Sequence, residues 1–182
     1  THYTNKLLSL PADRPQDGWA NGSYFLKVGK SLYNYYGYKF AGVNPDNGDA
    51  LYWADDKDAD GNIIGKKKVV GTNSATRYEL EKSPIPAVYG GLTSNMEVYG
   101  FDFALNFAYQ IGGYAYDSQY GGFMGSGSAG HNWHKDIYNR WTPENRNTNV
   151  PRLQEGSLDQ SVSGDYDLTS ASYLSLRNIT LG

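Results

Sequence analysis

From Phe101 to Gln110 the chain alternates without a slip. Phe101, Phe103, Leu105, Phe107 and Tyr109 are large and apolar or aromatic, whereas Asp102, Ala104, Asn106, Ala108 and Gln110 are small or polar. A strand sends successive side chains to opposite faces, so a period of two gives this segment one greasy face and one wet face. A helix would scatter the same residues around its circumference. The segment's length also matches the ~9–11 residues that cross a bilayer as a tilted strand. The preceding stretch answers it, with Leu92, Ser94, Met96 and Val98 alternating with Gly91, Thr93, Asn95 and Glu97. Tyr99-Gly100 between them is a short turn signal, and residues 88–111 read as a hairpin.

Two settings produce such a hairpin. In a soluble sandwich the apolar face packs on a second sheet. In an outer-membrane barrel the apolar face meets lipid and the polar face lines the lumen. Connection lengths favour the barrel, because the Tyr99-Gly100 turn is tiny while a long stretch separates Gln110 from the next strand-like run near Ser170. Short turns on one side and long loops on the other are a barrel habit. The long stretch is therefore expected on the extracellular side, and Tyr99-Gly100 at the periplasmic rim.

The run Ala171–Gly182 reads as a further strand. Leu174 and Leu176 share one phase and Ile179 and Leu181 the other, so a bulge near Arg177-Asn178 would put all four on one face. A strand left as an exposed edge is a liability for an independent domain, so a longer parent chain is expected. Upstream, residues 1–10 read as the end of a strand and residues 11–22 as a polar loop. Residues 24–43 read as aromatic-rich and extended. Val43–Asp49 is a turn, because Asn44-Pro45 and Asn47-Gly48 both favour reversal. Leu51-Tyr52-Trp53 resumes a strand to complete a second hairpin, and Asp55–Gly61 reads as another turn. Pro84-Ile85-Pro86 breaks the chain before the clear hairpin.

Composition agrees with strands and excludes several functions. Of 182 residues, 22 are glycine and 17 tyrosine, and none is cysteine. Disulfides, thiolate metal sites and thiol catalysis are therefore absent. With 16 Lys and Arg against 19 Asp and Glu, the net charge of −3 gives no general electrostatic case for nucleic acid or anionic membrane surfaces.

Four blocks, in order, carry a family resemblance: Tyr38–Tyr52; Ser83-Pro84-Ile85-Pro86 with Tyr89-Gly90-Gly91 and Tyr99-Gly100-Phe101-Asp102; Arg140–Asn145 with Val150-Pro151-Arg152; and Ala171–Gly182. Together they resemble the SusC-like TonB-linked outer-membrane transporters. The resemblance implies an all-β fold, with antiparallel strands forming the late part of a large, 22-stranded plugged transmembrane β-barrel with long extracellular loops. Residues 1–182 would be a fragment of one barrel domain, without plug, TonB-binding segment or closing strands. It further implies import of glycans, oligosaccharides or peptides, a SusD-like lipoprotein lid, TonB as energy coupler and outer-membrane lipid around the strands. The alternative is a soluble carbohydrate-binding β-sandwich.

Candidate sites are few. Asp56, Asp58, Asp60 and Gly61 match the start of a calcium loop, whose hard oxygens at that spacing can wrap Ca²⁺. The twelfth position is Lys67, however, where such a loop needs a bidentate Glu. Solvated acidic turn and Ca²⁺ site are the two readings. Gly125, Gly127 and Gly130 match G-x-G-x-x-G but lack the preceding strand and following helix of a dinucleotide site. His131 and His134 flank Trp133 with no carboxylate partner at metal spacing. Asn21-Gly22-Ser23 and Asn178-Ile179-Thr180 are glycosylation sequons, without that meaning in a bacterial barrel. No G-x-S-x-G elbow is present, and no catalytic constellation is read. Aromatic chemistry remains. Trp133, with Asn132, His134 and Tyr138, offers a ring to stack on a sugar face and groups to bond hydroxyls or peptide carbonyls. Trp141, beside Pro143, is expected to shape the loop rather than touch cargo.

Overall fold

The computed structural model describes residues 1–2, 4–125, 130–153 and 164–182. In chain order the elements are β1 (Trp19–Asn21), β2 (Tyr24–Leu26), β3 (Tyr36–Tyr38), β4 (Phe40–Val43), β5 (Ala50–Lys57), β6 (Ile63–Val70) and β7 (Arg77–Glu79). Then come β8 (Pro86–Val98), β9 (Phe101–Gly112), β10 (Tyr114–Tyr116), α1 (Ser118–Met124), β11 (Leu168–Ser170) and β12 (Tyr173–Leu181), with 3-10 turns at Lys135–Asn139 and Gly164–Asp167. The chain forms two compact units, one of Thr1–Tyr35, Glu81–Ala115 and Thr169–Gly182, the other of Tyr36–Leu80 and Tyr116–Leu168.

The first unit is built on the antiparallel sheet β12-β9-β8. The expected hairpin is present, and its turn is left-handed at both residues, with φ 53° at Tyr99 and 82° at Gly100. That twist matches the right-handed twist of the strands it joins. Residues directly opposite in an antiparallel pair share a face, so the register sorts the side chains. Val98↔Phe101, Met96↔Phe103 and Leu92↔Phe107 lie on one face. Leu176↔Phe107, Ile179↔Leu105 and Leu181↔Phe103 extend the same face onto β12. Glu97↔Asp102, Asn95↔Ala104 and Thr93↔Asn106 form the opposite face, joined by Asn178 and Thr180. The register shift between Leu176 and Asn178 is the expected bulge, and it brings Leu174, Leu176, Ile179 and Leu181 into line. Among the described residues nothing covers this apolar face: Leu92, Met96, Val98, Phe101, Leu174, Leu176, Ile179 and Leu181 are all exposed.

Of the described residues among 1–10, only the first two pair in the manner of a strand end. Thr1 and His2 touch the start of β8 through a His2↔Val88 bridge and mutual bonds between Thr1 and Tyr89, after which Leu7 bonds instead to Gly29 and Lys30. The polar loop expected over 11–22 ends early, because Gly22, at φ 62°, turns Trp19–Asn21 back onto Tyr24–Leu26. The extended reading of 24–43 is likewise interrupted by turns between β2 and β3.

The second unit holds most of the buried side chains. β5 is the middle strand of β4-β5-β6, and its alternate residues Ala50, Tyr52 and Ala54 are fully or almost fully buried. The β4–β5 hairpin forms as expected. The turn expected over Asp55–Gly61 is shorter, because Asp55, Asp56 and Lys57 stay in β5 opposite Lys66, Gly65 and Ile63. Lys67 pairs with Asp56 at 3.0 Å and the Tyr78 hydroxyl donates to Asp55 at 2.7 Å, which lets the ladder run on. The stretch beyond β9 is also more structured than a plain loop. β10 pairs with β11, and Asp117 starts α1 by accepting a bond from the Tyr120 amide at 2.9 Å. No helix among the described residues is long and apolar enough to cross a membrane.

Candidate functional site

Two adjoining hollows in the second unit share His131, Asn132 and Trp133 as their common wall. One, of about 600 Å³, continues over Gln119 and Phe123 of α1. The other, of about 480 Å³, continues over Lys135, Tyr138 and Arg140. The Trp133 indole N–H donates to the Gly125 carbonyl at 3.2 Å, which fixes the ring while leaving it 38% exposed. Tyr138 is 82% exposed at the end of its 3-10 turn. Asn132, Trp133 and Tyr138 are therefore brought together as the sequence suggests. Gln119 and Phe123 were not legible as part of the wall; their signal is the i, i+4 spacing that puts both on one face of α1.

His134 lines the second hollow and also serves the fold. Its Nδ1 accepts from the Asp136 amide at 3.3 Å, capping the 3-10 turn, and lies 3.3 Å from the Asp136 carboxylate. The Tyr120 hydroxyl donates to the same carboxylate at 3.1 Å, and the Tyr120 and His134 rings meet edge to face at 5.0 Å. Burial, then the neighbouring Tyr166 and Asp136, push the Tyr120 phenol well above its ordinary value, so it remains a donor. Asp167 lies in the same unit with one carboxylate oxygen buried and without a partner among the described residues. Burial, then the charge of Asp117, raises it to about 6.

Trp141 sits apart from the hollows. Its indole N–H donates to the Pro45 carbonyl at 3.0 Å, its amide bonds to Val150, and Arg152 pairs with Asp49 at 3.0 Å. These bonds clamp the β4–β5 turn, as the loop-shaping expectation requires.

The acidic run is dispersed by secondary structure. Asp56, on β5, pairs with Lys67 at 3.0 Å. Asp58 closes its own turn, accepting from the amides of Asp60 and Asn62 at 3.0 and 2.9 Å. The bonds from Asn62 hold its carboxyl below the usual range. No three His, Asp or Glu side chains converge to hold a metal among the described residues. In the glycine motif, Gly125 follows a helix rather than a strand, and Gly127 lies outside the described residues.

No family model matches the chain. It is 27% identical over 189 residues to TonB-dependent receptor P3 of Formosa agariphila, an alignment covering 98% of this chain and 18% of that protein. It superposes on the RagAB peptide importer in its closed-closed state with a TM-score of 0.72 and 24% identity, over 97% of this chain and 19% of that one. A second structure, of the RagAB peptide transporter, gives 0.69 and 26%, over 98% and 18%. The chain thus spans less than a fifth of the length of each. These likenesses bear out the resemblance to the TonB-linked transporters, and the all-β antiparallel fold matches the barrel part of such a protein.

Proposed function

We propose that this chain is part of the wall and loops of a TonB-dependent outer-membrane active transporter. In this reading it imports oligosaccharides or peptides with a SusD-like surface lipoprotein as lid. The observation that carries the reading is the β12-β9-β8 sheet, with one continuous apolar face, uncovered among the described residues, and one polar face. Lipid satisfies the first and an aqueous lumen the second, while every interior strand in a closed barrel keeps its backbone bonded. A sandwich would need a second sheet against Phe101, Leu174 and Leu181. The TonB-dependent receptor relative and the RagAB likeness support import over the sandwich. Trp133, Asn132, His134 and Tyr138 are assigned to cargo contact.

Uptake of labelled oligosaccharides and peptides by cells carrying the intact transporter tests the reading. Import should stop when the proton gradient is collapsed or TonB is removed, and the protein should leave the outer membrane only with detergent. Uptake indifferent to both treatments, or extraction by salt alone, refutes it.

A further inference from the structure

We infer that the hollow between Trp133 and Arg140 takes an anionic oligosaccharide, binding a carboxylate- or sulfate-bearing sugar ring against Trp133. The inference rests on the transport reading above and names the ligand class of its cargo site.

The lining carries the argument. Lys135 and Arg140 both border the hollow of about 480 Å³, and among the described residues no Asp or Glu does. The nearest acid in sequence, Asp136, lies outside this lining and accepts the Tyr120 hydroxyl at 3.1 Å. Among the described residues neither Lys135 nor Arg140 has a carboxylate partner; the Arg140 guanidinium donates only to the Ile137 carbonyl, at 3.4 Å. This local cationic character stands out in a chain whose net charge is −3. Trp133 is held by its own N–H, so its ring presents a fixed apolar plane, and Tyr138 adds a second exposed ring. A fixed ring beside hydrogen-bonding and cationic groups suits a pyranose face carrying a negative substituent.

A peptide is the poorer fit. Main-chain recognition uses a free strand edge or a row of unpaired amides. The walls here are the segment from His131 to His134, the 3-10 turn that follows it and Leu153, and His134 takes up the amides of Asp136 and Ile137. Ile137 and Leu153 are the only aliphatic side chains in the described lining, too few for the row of apolar pockets that alternate peptide side chains would fill.

The test uses the intact transporter with its lid, on a panel of neutral, uronate-bearing and sulfated oligosaccharides and of acidic peptides of similar length. Binding should be tightest to acidic oligosaccharides and should weaken as salt rises from 0.05 to 0.5 M, where exposed charges are screened. Lys135→Gln should weaken that binding about fivefold, the scale of one exposed charge pair, and reduce its dependence on salt. Trp133→Ala should weaken it about tenfold or more. Tightest binding to neutral glycans or to peptides overturns the inference, as does salt-independent binding, binding insensitive to Lys135→Gln, or no binding to any glycan. TonB-dependent import of peptides alone would discard the inference and leave the transport reading standing. Loss of all TonB-dependent import would discard that reading itself.

Discussion

The indole N–H of Trp141 reaches the carbonyl of Pro45 at 3.0 Å, joining residues 96 apart in the chain. Gly48 lies beneath the same ring, with φ 78°, and a Cβ there would come within 2.6 Å of the indole. The β4–β5 turn is thus shaped to receive Trp141 and can do so only with glycine at its tip.

Two substitutions test that clamp. Trp141→Phe should cost about 1 kcal/mol, the worth of a lost hydrogen bond. Gly48→Ala should cost about 2 kcal/mol or more, because it meets both the left-handed backbone and the ring. Hydrogen exchange over residues 43–52 and 140–152 should rise in both variants. Trp141→Ala should further lower lid association or expression. Trp133→Ala should instead weaken cargo binding by calorimetry and leave assembly intact.

The sheet register predicts opposite outcomes for neighbouring residues. Leu105 lies on the apolar face with Ile179, and Asn106 on the polar face with Thr93. Leu105→Arg should cost about 2–4 kcal/mol of barrel stability at a midplane position, and Asn106→Arg far less. Equal losses in denaturant unfolding from liposomes would remove the assignment of faces.

Protease added to intact cells tests orientation. Cleavage is expected within residues 112–168, where the chain is long and its described residues lie largely outside strands, and not at Tyr99. Tyr99 is 99% exposed at its turn, so protection there would report the membrane side rather than burial. A cut at Tyr99 from outside would reverse the orientation.

Asp167 predicts a pH response. Its carboxyl is raised from 3.8 to about 6, so between roughly pH 4 and pH 6 the folded protein holds a proton that the unfolded chain releases. Its contribution to stability is present at the acid end, declines as pH rises through that window, and is level above it. Asp167→Asn should flatten this dependence and strengthen protection of residues 116–124 and 164–168 at pH 7.5. Exchange rates corrected for intrinsic pH dependence provide the measurement. An unchanged pH profile in the variant would remove Asp167 as the source.

Elements whose cause is local could be read from the chain. The alternation over Phe101–Gln110, the Tyr99-Gly100 reversal, the bulge beside Arg177 and the Asn44–Asp49 turn depend on neighbours a few residues away. The readings that changed involve partners at a distance. Asp55 and Asp56 look like turn residues until Tyr78 arrives to bond the first and Lys67 on β6 to pair with the second. The strand end expected over residues 1–10 is left behind by Leu7, which finds its bonds at Gly29 and Lys30. The same division separates the two tryptophans. Composition marks both as loop aromatics, but one is spent on a carbonyl 96 positions back, while the other lines a hollow partly walled by α1.

By itself the sequence determined the period of two, and with it the amphipathic strands and the side of the sheet that must avoid water. That information is written in backbone geometry and side-chain polarity, which act residue by residue. Tertiary structure decided that β12 would take the far edge of β9 and that Lys135 and Arg140 would face Trp133 across one hollow. It also decided that half-buried Asp167 would hold one carboxylate oxygen without a partner among the described residues. Each of these requires a loop to close and distant surfaces to fit, and no local pattern encodes that fit.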